Sequence, residues 1–304
     1  MLRIICGVVM LAWFPASVSA QATLQRRFVD GATSSKSVDV LVKQTMSIQG
    51  MNLESSSQQN SVVRSTNGKR SATGELRIAS KVETLQANVK APGLGEVMFD
   101  SVNPDKATDS LLTPVFKAAA QATWTTVLDR DNRVIAVEGK EKAFEVLDEQ
   151  LSGFVKGQND PDYLKFSAQL EQDRIPSKPL KVGDSWQQDE PLRLDGSQTL
   201  TFSKKYTYRG IVEVEGRKLH HIDVVAVSVK LSFEANGPIM LKLIKSDLKV
   251  GQSTGKLLFD GQLGDIVSDV QSHQIKGSLT LGIAGQEVAA ELDLTMETST
   301  VSRR

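Results

Sequence analysis

The sequence predicts an α+β fold: one large curved antiparallel sheet, half-open like a split barrel, with about three helices from the middle of the chain packed on it. Three observations carry this reading. Apolar and polar residues alternate with period 2 near both ends of the chain, the pattern of strands with one buried face. Helical periodicity is confined to residues 108–170. From Gly196 to Gly285 recurring glycines break the chain at intervals that suit meandering strands. A sheet that large twists and curls rather than lying flat.

Residues 1–20 read as an export signal. Arg3 precedes a short apolar run, and Val18 and Ala20 suit the −3 and −1 positions of a cut before Gln21. The run is too short to span a bilayer as a helix. The mature protein is therefore expected in the periplasm or secreted. The one cysteine, Cys6, leaves with the signal, so no disulfide, thiol nucleophile or cysteine-held metal is expected. The small and polar segment 21–37 is expected to be a flexible lead-in. Residues 38–304 are expected to form a single α+β domain, with 38–175 and 176–304 as its halves.

Strand signals begin at 38–48, where Val38, Val40 and Val42 alternate with polar neighbours. The Ser/Gln/Asn-rich stretch 52–60 reads as a loop or a solvated edge strand. Across 74–90 the pattern slips phase: Leu76, Ile78 and Val82 share one parity, Leu85, Ala87 and Val89 the other. Such a slip demands a β-bulge or a change of buried face. Thr108, Asp109 and Ser110 offer cap oxygens to a first helix whose stripe is Leu111, Leu112, Val115, Phe116 and Ala119. A hairpin follows, with Trp124 on its first strand and a turn at Asp129–Asn132. A second helix is expected over 140–151, with Ala143, Phe144, Leu147 and Leu151 as its stripe and Gly153 as its stop. Asp160 and Pro161 read as cap and first residue of a third, ended by Ile175 and Pro176. The last strand is the clearest: Val288, Ala290, Leu292, Leu294 and Met296 alternate with polar residues or alanine.

Two stretches carry a family likeness. The connector Pro176 to Trp186 has the form Pro-x-x-Pro-x-x-Val-Gly-Asp-x-Trp, and Leu258 to Gly264 has the form Leu-Phe-Asp-x-x-x-Gly. With these, the chain resembles a family of exported bacterial proteins of unknown function. Its plan is similar to periplasmic lipoprotein carriers and mycobacterial-type lipid-binding lipoproteins, which are half-open barrels with helices in the mouth. The resemblance implies ligand binding rather than catalysis and supplies no catalytic residue. The lipoprotein relatives begin with a lipidated cysteine, which this chain lacks.

The charges balance, with 36 Lys+Arg against 36 Asp+Glu, which argues against nucleic-acid binding as the main role. A membrane barrel would show aromatic girdles and almost no helix; 5% aromatics and a helical middle argue otherwise. His220 and His221 are adjacent on a strand and point to opposite faces, so they do not share a metal. By parity His221 is expected on the apolar side, while His273 stands alone. No nucleophile elbow or phosphate loop is present. The carboxylate pairs Asp160/Asp162, Asp189/Glu190 and Glu213/Glu215 read as caps and solvated faces, and Asp129 to Asn132 as a turn. No catalytic residue, metal site or cofactor is expected. The expected role is non-catalytic binding of an apolar or lipid-like small molecule or of an envelope protein, with Leu111, Leu112, Val115, Phe116 and Trp124 lining the cavity. A carboxylate hydrolase and a structural envelope component are the alternatives.

Overall fold

The computed structural model describes residues 21–194, 198–233, 241–283 and 285–304, the side chains at 150, 154 and 241 excepted. The export signal expected at 1–20, with Cys6, lies outside the described residues. In chain order the elements are β1 (Thr33–Ile48), β2 (Met51–Asn67), β3 (Leu76–Ala91), β4 (Gly95–Asp100), α1 (Thr113–Ala120), β5 (Thr123–Leu128), β6 (Val134–Glu138), α2 (Glu149–Asn159), α3 (Pro161–Asp173), β7 (Ser185–Arg193), β8 (Gln198–Val214), β9 (Arg217–Phe233), β10 (Leu241–Asp260), β11 (Asp265–Ile283) and β12 (Gln286–Arg303). The 12 strands form a single open antiparallel sheet in the order β6-β5-β3-β2-β1-β12-β11-β10-β9-β8-β7, with β4 also paired to β3. First and last strands meet in its middle, from Ser35 opposite Arg303 to Ile48 opposite Ala290. Both halves of the chain therefore share one sheet.

Alternation in sequence becomes alternation of burial. On β12, Ala290, Leu292, Leu294 and Met296 are buried, while Glu291 and Glu297 are exposed. The phase slip in β3 is a bulge: Thr84 pairs with Val62 and Val82 with Val63, leaving Glu83 as the extra residue. Both parities thereby reach helices. Leu76 shares a core cluster with Leu164 of α3, and Leu85 shares one with Phe116 of α1. The polar stretch 52–60 is neither loop nor edge. It belongs to β2, held between β1 and β3 by a backbone ladder that is indifferent to side-chain polarity.

Helical content is lower than expected. Across 140–148 the one helical stretch is Glu141–Phe144, a single 3₁₀ segment. A new helix starts at Glu149 because the Asp148 carboxylate accepts a hydrogen bond from the Leu151 N–H at 2.8 Å. Gly153 then lies inside α2 rather than ending a helix. The lead-in also differs from expectation. β1 begins at Thr33, Ala22 forms a bridge with Leu180, and Leu24 is buried beside Leu180, Ile222 and Phe259. An apolar anchor at Leu24 therefore ties the segment to the core. No helix among the described residues is long and apolar enough to cross a membrane.

Helix α3 touches both ends of the open sheet. On the β6 side, Gln169 Oε1 accepts from the Val134 N–H at 2.7 Å. On the β7 side, the Arg193 N–H donates to the Tyr163 hydroxyl at 3.1 Å, and Gln188 Nε2 donates to the Leu170 carbonyl at 2.9 Å. Two edge N–H groups, of Val134 on β6 and Arg193 on β7, are thus occupied. Between β9 and β10 the ladder is short, running only from His220–Phe259 to Asp223–Lys256 among the described residues. Beyond it the Ser253 hydroxyl accepts from the Ala226 N–H at 2.7 Å, a side chain standing in for a strand partner.

Candidate functional site: a charged network and two cavities beside helix α3

The connector Pro176 to Trp186 places the end of α3 against β7. Pro176 forbids further helix, the Asp184 carboxylate closes a turn on the Lys181 N–H at 2.8 Å, and Trp186 Nε1 donates to the Arg174 carbonyl at 3.1 Å. Arg174, the C-terminal cap of α3, is thereby held over the sheet. Its guanidinium donates to Asp269 of β11 at 2.9 Å and to Glu190 of β7 at 3.2 Å. Lys204 of β8 donates to the same Glu190 at 2.9 Å and to Gln271 Oε1 at 2.8 Å. Glu190 also accepts from the Tyr206 hydroxyl. Tyr206 in turn stacks on Trp186 with ring centroids 5.5 Å apart.

Donor and acceptor rules orient the rest. Lys204 can only donate, so Gln271 presents its oxygen, and its amide nitrogen donates to Asp269 at 2.8 Å. His273 Nε2, 3.1 Å from that oxygen, is the donor. Its Nδ1 then accepts from the Ser253 hydroxyl at 2.9 Å, which makes His273 neutral. Burial, aided by the Lys204 cation, pushes its pKa down to about 4. Burial pushes the Glu190 carboxyl up, but Arg174 and Lys204 outweigh it and hold the group below the usual carboxylate range. Burial also lowers the Lys204 ammonium, against the pull of Glu190. Buried charges persist here because each has a partner.

One cavity of about 280 Å³ lies between α3 and this network. Its apolar wall includes Val38, Leu170, Leu192, Phe202 and Met296; its polar wall is Arg174, Glu190, Lys204, Asp269, Gln271 and His273. A second of about 350 Å³ lies along α3 toward β5, lined among others by Arg26, Phe28, Lys36, Ile78, Trp124 and Ala168. Glu171 lines both. Its carboxylate accepts from Lys36 at 2.6 Å, and its carbonyl accepts from Arg26 at 3.2 Å.

Of the five residues expected to line a cavity, Trp124 does so, in the second cavity, with Lys140 Nζ 5.6 Å from its ring. Leu112 and Phe116 instead pack on β3 and β4, where Phe116 stacks on Phe99 at 5.8 Å. Val115 is half-buried, and Leu111 precedes α1 and is 67% exposed, so it packs against nothing that a lid would cover. The histidines stay apart: His220 meets Tyr208 and Phe259, and His221 pairs with Asp223 at 2.9 Å. His221 was expected on the apolar side, but Ile222, Val224 and Ala226 hold the buried parity of β9. Asp160 caps α3, and the Asp129 carboxylate closes its hairpin turn on the Asp131 and Arg133 N–H groups.

Glu190 and His273 stand out in the sequence only singly, and Arg174, Lys204, Asp269 and Gln271 not at all, because the partners are distant in sequence. Each nevertheless left a local mark. Lys204 interrupts the buried series Leu200, Phe202, Tyr206, Tyr208, and Asp269, Gln271 and His273 share parity with buried Val267 and Ile275. Polar residues on the buried parity of a strand are the detectable sign.

No family model matches the chain, and no curated protein sequence matches it. Among solved structures, a lipovitellin structure concerned with lipid–protein interactions overlaps 91% of this chain at 7% identity, with a TM-score of 0.47. The chain spans only 26% of the lipovitellin chain. An outer membrane channel from Pseudomonas putida F1 overlaps 92% of this chain and 98% of its own at 8% identity, with a TM-score of 0.26. At such low identity and TM-score these likenesses assign neither fold family nor role.

Proposed function

We propose that the chain is an exported, non-catalytic protein that holds an amphiphilic small molecule in the cavity beneath α3. The observation that carries this is the cavity's division into an apolar wall and a charged, hydrogen-bonded one, the lining that a ligand with a tail and a polar end requires. Its shape follows from the sheet. Lys204 and Gln271 belong to strands three places apart in the sheet order, a span of roughly 14 Å on a flat sheet, more than the two side chains can bridge. Their 2.8 Å contact requires curvature between β8 and β11, which supports a half-open sheet with α3 between β6 and β7. Export rests on the signal read in residues 1–20.

The hydrolase alternative asks distant carboxylates to converge with one of them protonated. Glu190 and Asp269 do converge, but both are tied to Arg174 and Glu190 stays ionised, which favours binding over acid catalysis. The edge N–H groups of Val134 and Arg193, each taken by α3, weigh against assembly through strand pairing. Titration with the fluorescent fatty acid cis-parinarate tests the proposal. A single saturable site is expected, lost in Thr298→Trp, which fills the cavity from β12. Absence of saturable binding, or unchanged binding by a folded Thr298→Trp, contradicts it.

A further inference from the structure

Three cations meet at Glu171. Lys36 binds its carboxylate at 2.6 Å, Arg26 binds its carbonyl at 3.2 Å, and Arg174 lies three residues along the same helix end. Arg26 and Arg174 also have acidic partners, Asp265 for the first and Asp269 and Glu190 for the second. Even so, the Nε–H of each guanidinium is buried with no acceptor. A buried donor without an acceptor is costly, and two in one neighbourhood mark a place where an acceptor group is wanted. Arg26 and Lys36 line one cavity, Arg174 lines the other, and Glu171 lines both. The Glu171 side chain is 47% exposed and that of Lys36 39%, so their ion pair is weak and solvent-screened.

From this arrangement we infer that the polar end of the ligand is an oxyanion, a carboxylate or a phosphate, seated among Arg26, Lys36 and Arg174 in the position that Glu171 holds. This rests on the amphiphile reading above and adds the class of head group. An arriving oxyanion takes over the Lys36 ammonium, while Glu171 turns to water, and it sits in the field of the Arg26 and Arg174 cations. Charge-assisted bonds from guanidinium and ammonium groups favour such a head over a neutral one. The surrounding acids Asp265, Asp269 and Glu190 keep their own partners and hold the three cations in place.

Calorimetric titration of the full chain with oleate, dodecyl phosphate and 1-monooleoylglycerol tests the inference. At least one oxyanionic ligand is expected to bind about tenfold more tightly than the neutral glyceride. Which of the two leads identifies the head as carboxylate or phosphate. Glu171→Gln removes the competitor and is expected to tighten oxyanion binding about threefold, and Lys36→Gln to weaken it about fivefold, with glyceride affinity unchanged in both. Added salt should weaken oxyanion binding in the unaltered chain and spare the glyceride, a readout independent of how the variants fold. Equal affinities for all three ligands, or oxyanion binding indifferent to both Glu171→Gln and salt, would overturn the inference and leave the amphiphile reading intact. Failure of all three to bind would overturn both.

Discussion

Glu190 is the residue on which the buried network turns, because it accepts from Arg174, Lys204 and Tyr206 at once. Replacing it by Ala leaves the buried Lys204 ammonium with Gln271 but no carboxylate, and Arg174 with Asp269 alone. Breaking a buried pair from one side costs about 3–5 kcal/mol, and urea denaturation of Glu190→Ala should show a loss of that order. A loss below about 1 kcal/mol would mean that water reaches the network and screens it. His273 adds a pH dependence whose sign is determined. Its pKa in the fold is about 4, below the unfolded value of about 6.5, so the fold favours the neutral ring. Its contribution is therefore complete above about pH 6.5 and is lost as the pH falls toward 4, by about 3 kcal/mol in all. Urea melts from pH 7 to 4 should show a steeper decline for the unaltered protein than for His273→Gln. Parallel declines would contradict the buried, neutral histidine.

At the scale of elements, caps and close approaches decide where helices and strands run. Asp160 accepts from the Tyr163 N–H at 2.9 Å and starts α3, so Asp160→Ala should cost about 1 kcal/mol by thermal denaturation. Gly277 is required by proximity: a Cβ there would stand 2.0 Å from the Asp247 carbonyl oxygen across the β10–β11 ladder. Gly277→Ala should cost about 1–3 kcal/mol or more, since the obstacle is backbone, whereas Gly93, a turn glycine open to solvent, should bear the same change at less cost. The elements best legible in the sequence were those ruled by such local chemistry. The Asp160–Pro161 start, the Asp129 turn and the phase slip of β3 could each be read from a few neighbouring residues, and the slip is met by a bulge at Glu83 rather than a change of face. The second helix was misplaced because a four-residue apolar stripe says nothing about a stronger cap, Asp148, in its midst. β2 was misjudged because its place between β1 and β3 is set by ladder partners, not by its own polar side chains.

At the scale of the whole molecule, the site is assembled from β7, β8, β10, β11 and the end of α3, which meet only when the sheet curls. Periodicity reports which residues face inward on each strand, but not which strands come to face one another. The sheet-rich architecture is therefore legible in the sequence, while the network around Glu190 is visible there only as polar residues at buried parity. Helix α3 joins these parts: it hydrogen-bonds to both β6 and β7 and lines the cavity beside the network. The most direct test of that account is a crystal structure of the protein with a fatty acid brominated at its terminal carbon. The bromine's anomalous signal should lie under α3 beside Phe202 and Met296, with the carboxylate toward Lys36. Bromine confined to the outer face of the sheet, or absent from a cavity that remains open, would contradict it.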